Sequence, residues 1–161
     1  MHKIYLALGS NTGDREENIK KAYRFLSEKI KVLKYASVYE SKAVGFTEQN
    51  NFLNTAIEAE TNLTPLELLT FVKEIEKKVG RKETFYWGPR EIDIDILFYD
   101  DLVFKNDILE IPHPLLTERD FVLIPLNEIA PNFIHPGLNK KISEILENFP
   151  QNKKSIINKN R

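Results

Sequence analysis

The chain has 161 residues, a formal net charge of −1, a hydrophobic fraction of 42% and a charged fraction of 29%. This is the composition of an ordinary soluble globule of one domain, and so balanced a charge excludes a global basic field that recruits nucleic acid. There is no cysteine, which excludes disulfides, cysteine zinc sites and thiol nucleophiles.

Residues 3–8 read as a buried first strand, ended by Gly9-Ser10-Asn11. Its apolar run is too short for a signal peptide or a membrane span, so a cytoplasmic protein with no membrane partner is expected. Asp14 is placed as the N-cap of a first helix, with Glu17 completing a capping box. Ile19, Ala22, Tyr23, Leu26 and Ile30 keep the spacing of one helical face. Residues 35–40 alternate as a strand and residues 52–60 as another, separated by a polar loop containing Gly45. Thr64-Pro65-Leu66-Glu67 opens a second helix with a second capping box, and Gly80 supplies its stop. A charged loop over 81–86 leads into a strand running to Tyr99. The order β-α-β-β-α-β is that of the ferredoxin-like split unit, an α+β fold with helices packed on an antiparallel sheet. Short C-terminal additions follow: a turn at Asp100-Asp101, extended pieces at 103–104 and 108–111, a helix from Thr117 and a last helix near 142–149. The polar tail from Gln151 is expected to fray. Residues 1–161 are expected to form a single domain.

The densest chemistry lies in Trp87-Gly88-Pro89-Arg90-Glu91-Ile92-Asp93-Ile94-Asp95. In a strand, residues two apart share a face, so Ile92, Ile94 and Ile96 fill the core while Asp93 and Asp95 emerge together, roughly 6–7 Å apart. Two carboxylates on one face call for a cation. Magnesium takes oxygen ligands and shares its shell with substrate phosphates; the pair could hold one ion or bridge two, about 3.5–4 Å apart. Taken alone, the tripeptide reads better as the solvated face of an edge strand; Arg90, the Gly-Pro turn and Trp87 turn the balance to a nucleotide site.

These pieces together resemble the 6-hydroxymethyl-7,8-dihydropterin pyrophosphokinases of folate biosynthesis. The matching residues run in order: Ala7-Leu8-Gly9-Ser10-Asn11, Ser37-Val38-Tyr39, Phe52-Leu53-Asn54, Gly80-Arg81, the Trp87 to Leu97 motif, Ile111-Pro112-His113-Pro114, Phe121-Val122-Leu123 and Pro125-Leu126. The resemblance implies transfer of the β,γ-diphosphate of ATP to the pterin hydroxymethyl oxygen, with AMP released. It implies two magnesium ions on Asp93 and Asp95, and Arg81 and Arg90 on the phosphates, since such transfers need positioning and charge neutralisation. For the pterin it implies Phe52 and Phe121 as a stacking pair, Asn54 on the polar edge, Ser41, Val44 and Gly45 alongside, and Trp87 as a cap. For ATP it implies Lys73, Glu76, Ile96, His113 and Arg119, together with Arg81, Trp87 and Arg90. The partners are then ATP and the pterin, with no nucleic acid, and a monomer is expected with a dimer left open.

The chain departs from the family pattern at Glu83 and Tyr86, where arginine is common, and at Ser41-Lys42-Ala43-Val44, where Thr and prolines often stand. Other readings of the same residues stay open: Phe52 and Phe121 as core, Glu76 as a structural ion pair, Arg119 as a surface residue. The rival functions are an inactive ATP- and pterin-binding homologue, another Asp-x-Asp phosphoryl-transfer enzyme, or a non-catalytic binder on a ferredoxin-like sheet.

Overall fold

A computed structural model describes residues 1–42, 50–80 and 91–159 of the chain. Their order is β1 (His2–Ser10), α1 (Arg15–Leu26), β2 (Ile30–Tyr35), β3 (Tyr39–Ser41), β4 (Phe52–Thr61), α2 (Pro65–Val79), β5 (Asp93–Tyr99), β6 (Phe104–Lys105) and β7 (Glu110–Ile111). After a 3₁₀ turn at Leu116–Glu118 come α3 (Asp120–Ile129), β8 (Ile134–His135), β9 (Lys140–Lys141) and α4 (Ile142–Glu147). A second 3₁₀ turn, Gln151–Lys153, leads to β10 (Ile156–Lys159).

The main sheet runs β10-β3-β4-β1-β5, with β2 on the other half of β4, and each pairing is antiparallel. Helices cover both faces. Ile4, Leu6, Leu8, Ile94 and Ile96 point to the side of α1 and α2 and join the larger buried cluster. Tyr5, Ala7, Ala56 and Phe98 point to the side of α3 and α4 and join the second. The fold is thus mixed α/β with an antiparallel sheet, as the alternation of apolar residues requires.

Local sequence explains most boundaries. In α2 the box is complete: Thr64 Oγ1 accepts from Glu67 N at 3.3 Å and Thr64 N donates to Glu67 Oε1 at 2.9 Å. Gly80 ends that helix at φ 111°, a left-handed conformation that favours glycine. In α1 half of the expected box forms. Asp14 accepts from Glu17 N, but the Glu17 carboxylate turns away to Arg24 Nη2 at 2.8 Å.

Two other expectations are corrected. The strand expected over 35–40 is broken, because Glu128 of α3 gathers Ser37 N, Ser37 Oγ and the Tyr39 hydroxyl. This draws the chain off one edge position and onto the next. The tail expected to fray instead supplies β10, which pairs with β3 and is held by Asp120. Along β5 the register slips by one residue. Tyr5 faces Phe98 and Leu6 faces Ile96, leaving Leu97 as a bulge. The bulge lets Leu97 and Phe98 both join the α3-side cluster, while the two aspartates keep their alternation upstream.

Candidate active site

The site is built on two rows that cross the sheet. Asn54, Gly9 and Asp93 occupy one row on β4, β1 and β5; Ala56, Ala7 and Asp95 occupy the next. Residues paired across antiparallel strands share a face, so Asn54 and the aspartates lie on the same side, with small residues between them. Ile92, Ile94 and Ile96 are buried behind at 0%, 1% and 4% exposure, as their alternation predicts. A side chain at Gly9 would meet Asn54 Oδ1 at 3.1 Å and Phe52 Cδ1 at 3.5 Å. Glycine therefore keeps the end of β1 open next to these two residues.

Asp95 is the electrostatic centre. Burial, reinforced by the charge of Asp93, pushes its carboxyl up from 3.8 to about 7, and Arg119 opposes the rise. His113 Nε2 lies 3.9 Å and Arg119 Nη1 4.0 Å from Asp95 Oδ2. Both are too long for a hydrogen bond. Burial, with the Arg119 charge, lowers the His113 imidazole to about 4. Its Nδ1 accepts from Leu115 N at 3.2 Å, so the neutral ring carries its proton on Nε2, facing Asp95. The His113 backbone N donates to Leu97 O at 3.1 Å, fixing this segment along β5.

Glu76 of α2 is 1% exposed. Its Oε2 accepts the backbone N–H of Ile94 at 2.8 Å, and its Oε1 accepts from Lys73 Nζ at 3.3 Å. Glu76 thus has a structural contact with β5 and an ion pair with Lys73. Beside it a cleft of about 430 Å³ opens between α2, β5 and the β6–β7 hairpin, lined among others by Lys73, Asp95, Ile96, Lys105, Asn106 and His113. That volume suits a small organic ligand, and its wall mixes Lys73 and Lys105 with Asp95, Asp107 and Glu110, a lining that could take an anion together with a cation.

At the other end, Asn54 Nδ2 donates to Ser41 Oγ at 2.6 Å, and both residues are buried. Phe52 and Phe121 are half-buried. The guanidinium of Arg119 sits 5.6 Å from the centre of the Phe121 ring, so one arginine touches the aromatic and reaches toward Asp95. Among the expected site residues the structure thus gathers Asp93, Asp95, Ile96, His113, Arg119, Phe121, Lys73 and Glu76 at β5. It sets Ser41, Phe52 and Asn54 beside Gly9. Val44, Gly45, Arg81, Glu83, Tyr86, Trp87 and Arg90 lie outside the described residues. Sequence reasoning missed Gly9 as a spacer and Lys105 as a second cation; the Gly9-Ser10-Asn11 break after an apolar strand was the available signal for the first.

The donor set fits magnesium. Two hard carboxylates share a face, and burial makes a cation favourable there. Magnesium usually takes one or two carboxylates and completes its shell with substrate phosphate and water, which a pair such as Asp93 and Asp95 suits. Among the described residues no helix is long and apolar enough to cross a membrane.

The family model for 7,8-dihydro-6-hydroxymethylpterin-pyrophosphokinase (HPPK) matches residues 5–131. A 2-amino-4-hydroxy-6-hydroxymethyldihydropteridine pyrophosphokinase of Aquifex aeolicus is 54% identical over 144 residues, 89% of this chain and 90% of that protein. The folic acid synthesis protein FOL1 of Dictyostelium discoideum is 48% identical over 91% of this chain, which spans 22% of its length. Among solved structures, a triple-mutant HPPK-DHPS of Plasmodium falciparum with pteroate superposes with a TM-score of 0.74 at 18% identity. The match covers 91% of this chain and 43% of that one, a likeness of fold alone.

Proposed function

This chain belongs to the 7,8-dihydro-6-hydroxymethylpterin-pyrophosphokinase family, and from that premise we propose that it transfers the β,γ-diphosphate of ATP to the hydroxymethyl oxygen of 6-hydroxymethyl-7,8-dihydropterin, releasing AMP. The observation that carries this reading is the pair Asp93 and Asp95 on one sheet face, with Asp95 lining a cleft walled by Lys73 and Lys105. Residues 1–161 act as one pyrophosphokinase domain, and its sheet order is read as the ferredoxin-like split unit extended by β10.

Asp93 and Asp95 would hold two magnesium ions between the carboxylates and the triphosphate. Bound there, magnesium neutralises the charge that gathers on the phosphate oxygens in transfer. The chain does the rest by orientation. Lys73 and Lys105 draw the nucleotide into the cleft, and Ile96 gives it an apolar wall. His113 Nε2–H and Arg119, already directed at Asp95 without bonding it, donate to phosphate oxygens. Arg81 and Arg90 add positive charge from the segment that carries the family motif, and Trp87 closes over the ligands. Phe52 and Phe121 stack on the pterin, a contact worth about 1 kcal/mol beyond burial. Asn54, oriented by Ser41, reads its polar edge, with Val44 and Gly45 completing the contact. Glu76 holds the strand between the aspartates, so the carboxylates are already placed for the ions they would hold, without rearranging.

The test is a product assay with MgATP and the pterin, resolving AMP from ADP. AMP and pterin diphosphate in equal amounts, lost on chelating magnesium, support the transfer. ADP would mean attack at the terminal phosphorus, and no nucleotide consumption by folded protein would mean an inactive binder, overturning the proposal.

A further inference from the structure

Arg119 and Phe121 flank a residue with no part in that reaction. Asp120 opens α3 with its carboxylate 1% exposed, yet it does not cap its own helix. Its Oδ1 accepts from Ser155 Oγ at 2.6 Å, and its Oδ2 accepts from Ser155 N at 2.7 Å and Ile156 N at 3.0 Å. Ser155 in turn accepts from Lys42 N at 3.0 Å, and β10 runs on along β3, placing Ile156 opposite Ser41. The first turn of α3, the segment opening β10 and the end of β3 are therefore linked in series. At one end of that linkage sit Arg119 and Phe121, and at the other Ser41, whose hydroxyl holds Asn54.

We infer that Asp120 is a positioning residue: by gripping Ser155 and Ile156 it sets the first turn of α3 against the edge strands, and so holds Phe121 and Asn54 at the spacing the pterin needs. This rests on the assignment of Phe121 and Asn54 to the pterin above. A carboxylate bonded by three donors is a strong anchor, since bonds to charged groups exceed neutral ones. Its removal leaves two backbone N–H groups at the head of β10 without an acceptor, so the linkage opens there first. The nucleotide cleft lies on α2, β5 and the β6–β7 hairpin, outside this linkage. Through Arg119, which reaches toward Asp95, a weaker effect is passed to the nucleotide, so Asp120 acts mainly on the pterin.

The experiment compares wild type with Asp120→Ala, Asp120→Asn and Ser155→Ala, measuring kcat and KM for each substrate well below the melting temperature. Asp120→Ala is expected to raise the pterin KM about tenfold, the scale of one lost charged hydrogen bond, with a smaller rise of about two- to threefold in the ATP KM through Arg119. Asp120→Asn keeps an acceptor and the side-chain shape and should recover much of the loss; Ser155→Ala keeps both backbone donors and should raise the pterin KM about two- to threefold. A merely structural role lowers the fraction of active protein, and with it apparent kcat, and leaves both KM values alone; that result in an active wild-type background overturns the inference while sparing the reaction. If Asp120→Ala does not fold, an unmoved pterin KM in both other variants has the same force. An inactive wild type overturns the reaction first and the inference with it.

Discussion

The carboxylate of Glu76 accepts the backbone N–H of Ile94 at 2.8 Å, and Ile94 is the residue between Asp93 and Asp95. Among the described residues β5 ends the sheet on its side, so an N–H turned outward there meets no further strand of that sheet. Glu76 stands in for that strand. Glu76→Ala should lower stability by about 1–3 kcal/mol, the range for leaving a buried donor unsatisfied, and should depress kcat with it because both aspartates lose their common support. Glu76→Gln keeps an acceptor and should cost less. Urea unfolding and steady-state kinetics on the same preparations would show both effects.

Asp95→Ala removes half of the carboxylate pair and should reduce kcat at least about a hundredfold, the scale for losing one preorganised electrostatic element. The variant should also need far more magnesium for whatever turnover is left. Near-normal activity at ordinary magnesium would sink the assignment of the pair to the metal.

Acid and base titrations of this site pull stability in opposite directions. The native Asp95 carboxyl is raised from 3.8 to about 7, so the folded state holds its proton longer than the unfolded chain. The stability it contributes is complete below pH 3.8 and is lost as pH rises to about 7. The native His113 is lowered from 6.5 to about 4, so its contribution is complete above pH 6.5 and is lost as pH falls toward 4. Melting curves of the magnesium-free protein should separate the two. Asp95→Asn loses the decline on raising pH, His113→Gln loses the decline on lowering it, and magnesium added at pH 8 should stabilise wild type more than Asp95→Asn.

Asn54→Ala should raise the pterin KM about tenfold, as expected for one buried hydrogen-bonding group, with ATP binding nearly unchanged. Gly9→Ala should do the same more weakly, because its methyl group would press on Asn54 Oδ1 at 3.1 Å. Calorimetric titration of each substrate would check the split. Equal loss of both would mean that the pterin end is misplaced.

What sequence could disclose here followed from local rules. The Thr64 box and the Gly80 stop are contained within α2 and its caps, and the alternation of Ile92, Ile94 and Ile96 against the aspartates needs only the two-residue period of a strand. What it could not disclose depends on partners far along the chain. The residues at 35–38 alternate like a strand until Glu128 takes their donors. Glu17 fits a capping box until Arg24 competes for it. The segment from Gln151 is polar enough to fray, and its strand exists because the open edge of β3 and the buried Asp120 accept it. The bulge at Leu97 has no glycine to announce it; it arises because Phe98 must reach the second core. For the site, the residue types were readable in order along the chain. That Glu76 also bonds the backbone of β5 was not, because that depends on which N–H lies opposite it.

β1 stands in the middle of the sheet, and its neighbours are remote in sequence: Ser10 pairs with Leu53, and Ile4 pairs with Tyr99. A ribosome adding roughly 5–20 residues per second makes Ile4 on the order of five to twenty seconds before its last partner emerges. Until β4 is made, about halfway through that interval, an apolar strand waits without either neighbour, and the β1–β5 pairing that places the aspartates can form only when the interval ends. Slower growth temperature or excess chaperone should therefore raise the yield of active protein more than any change at the site itself.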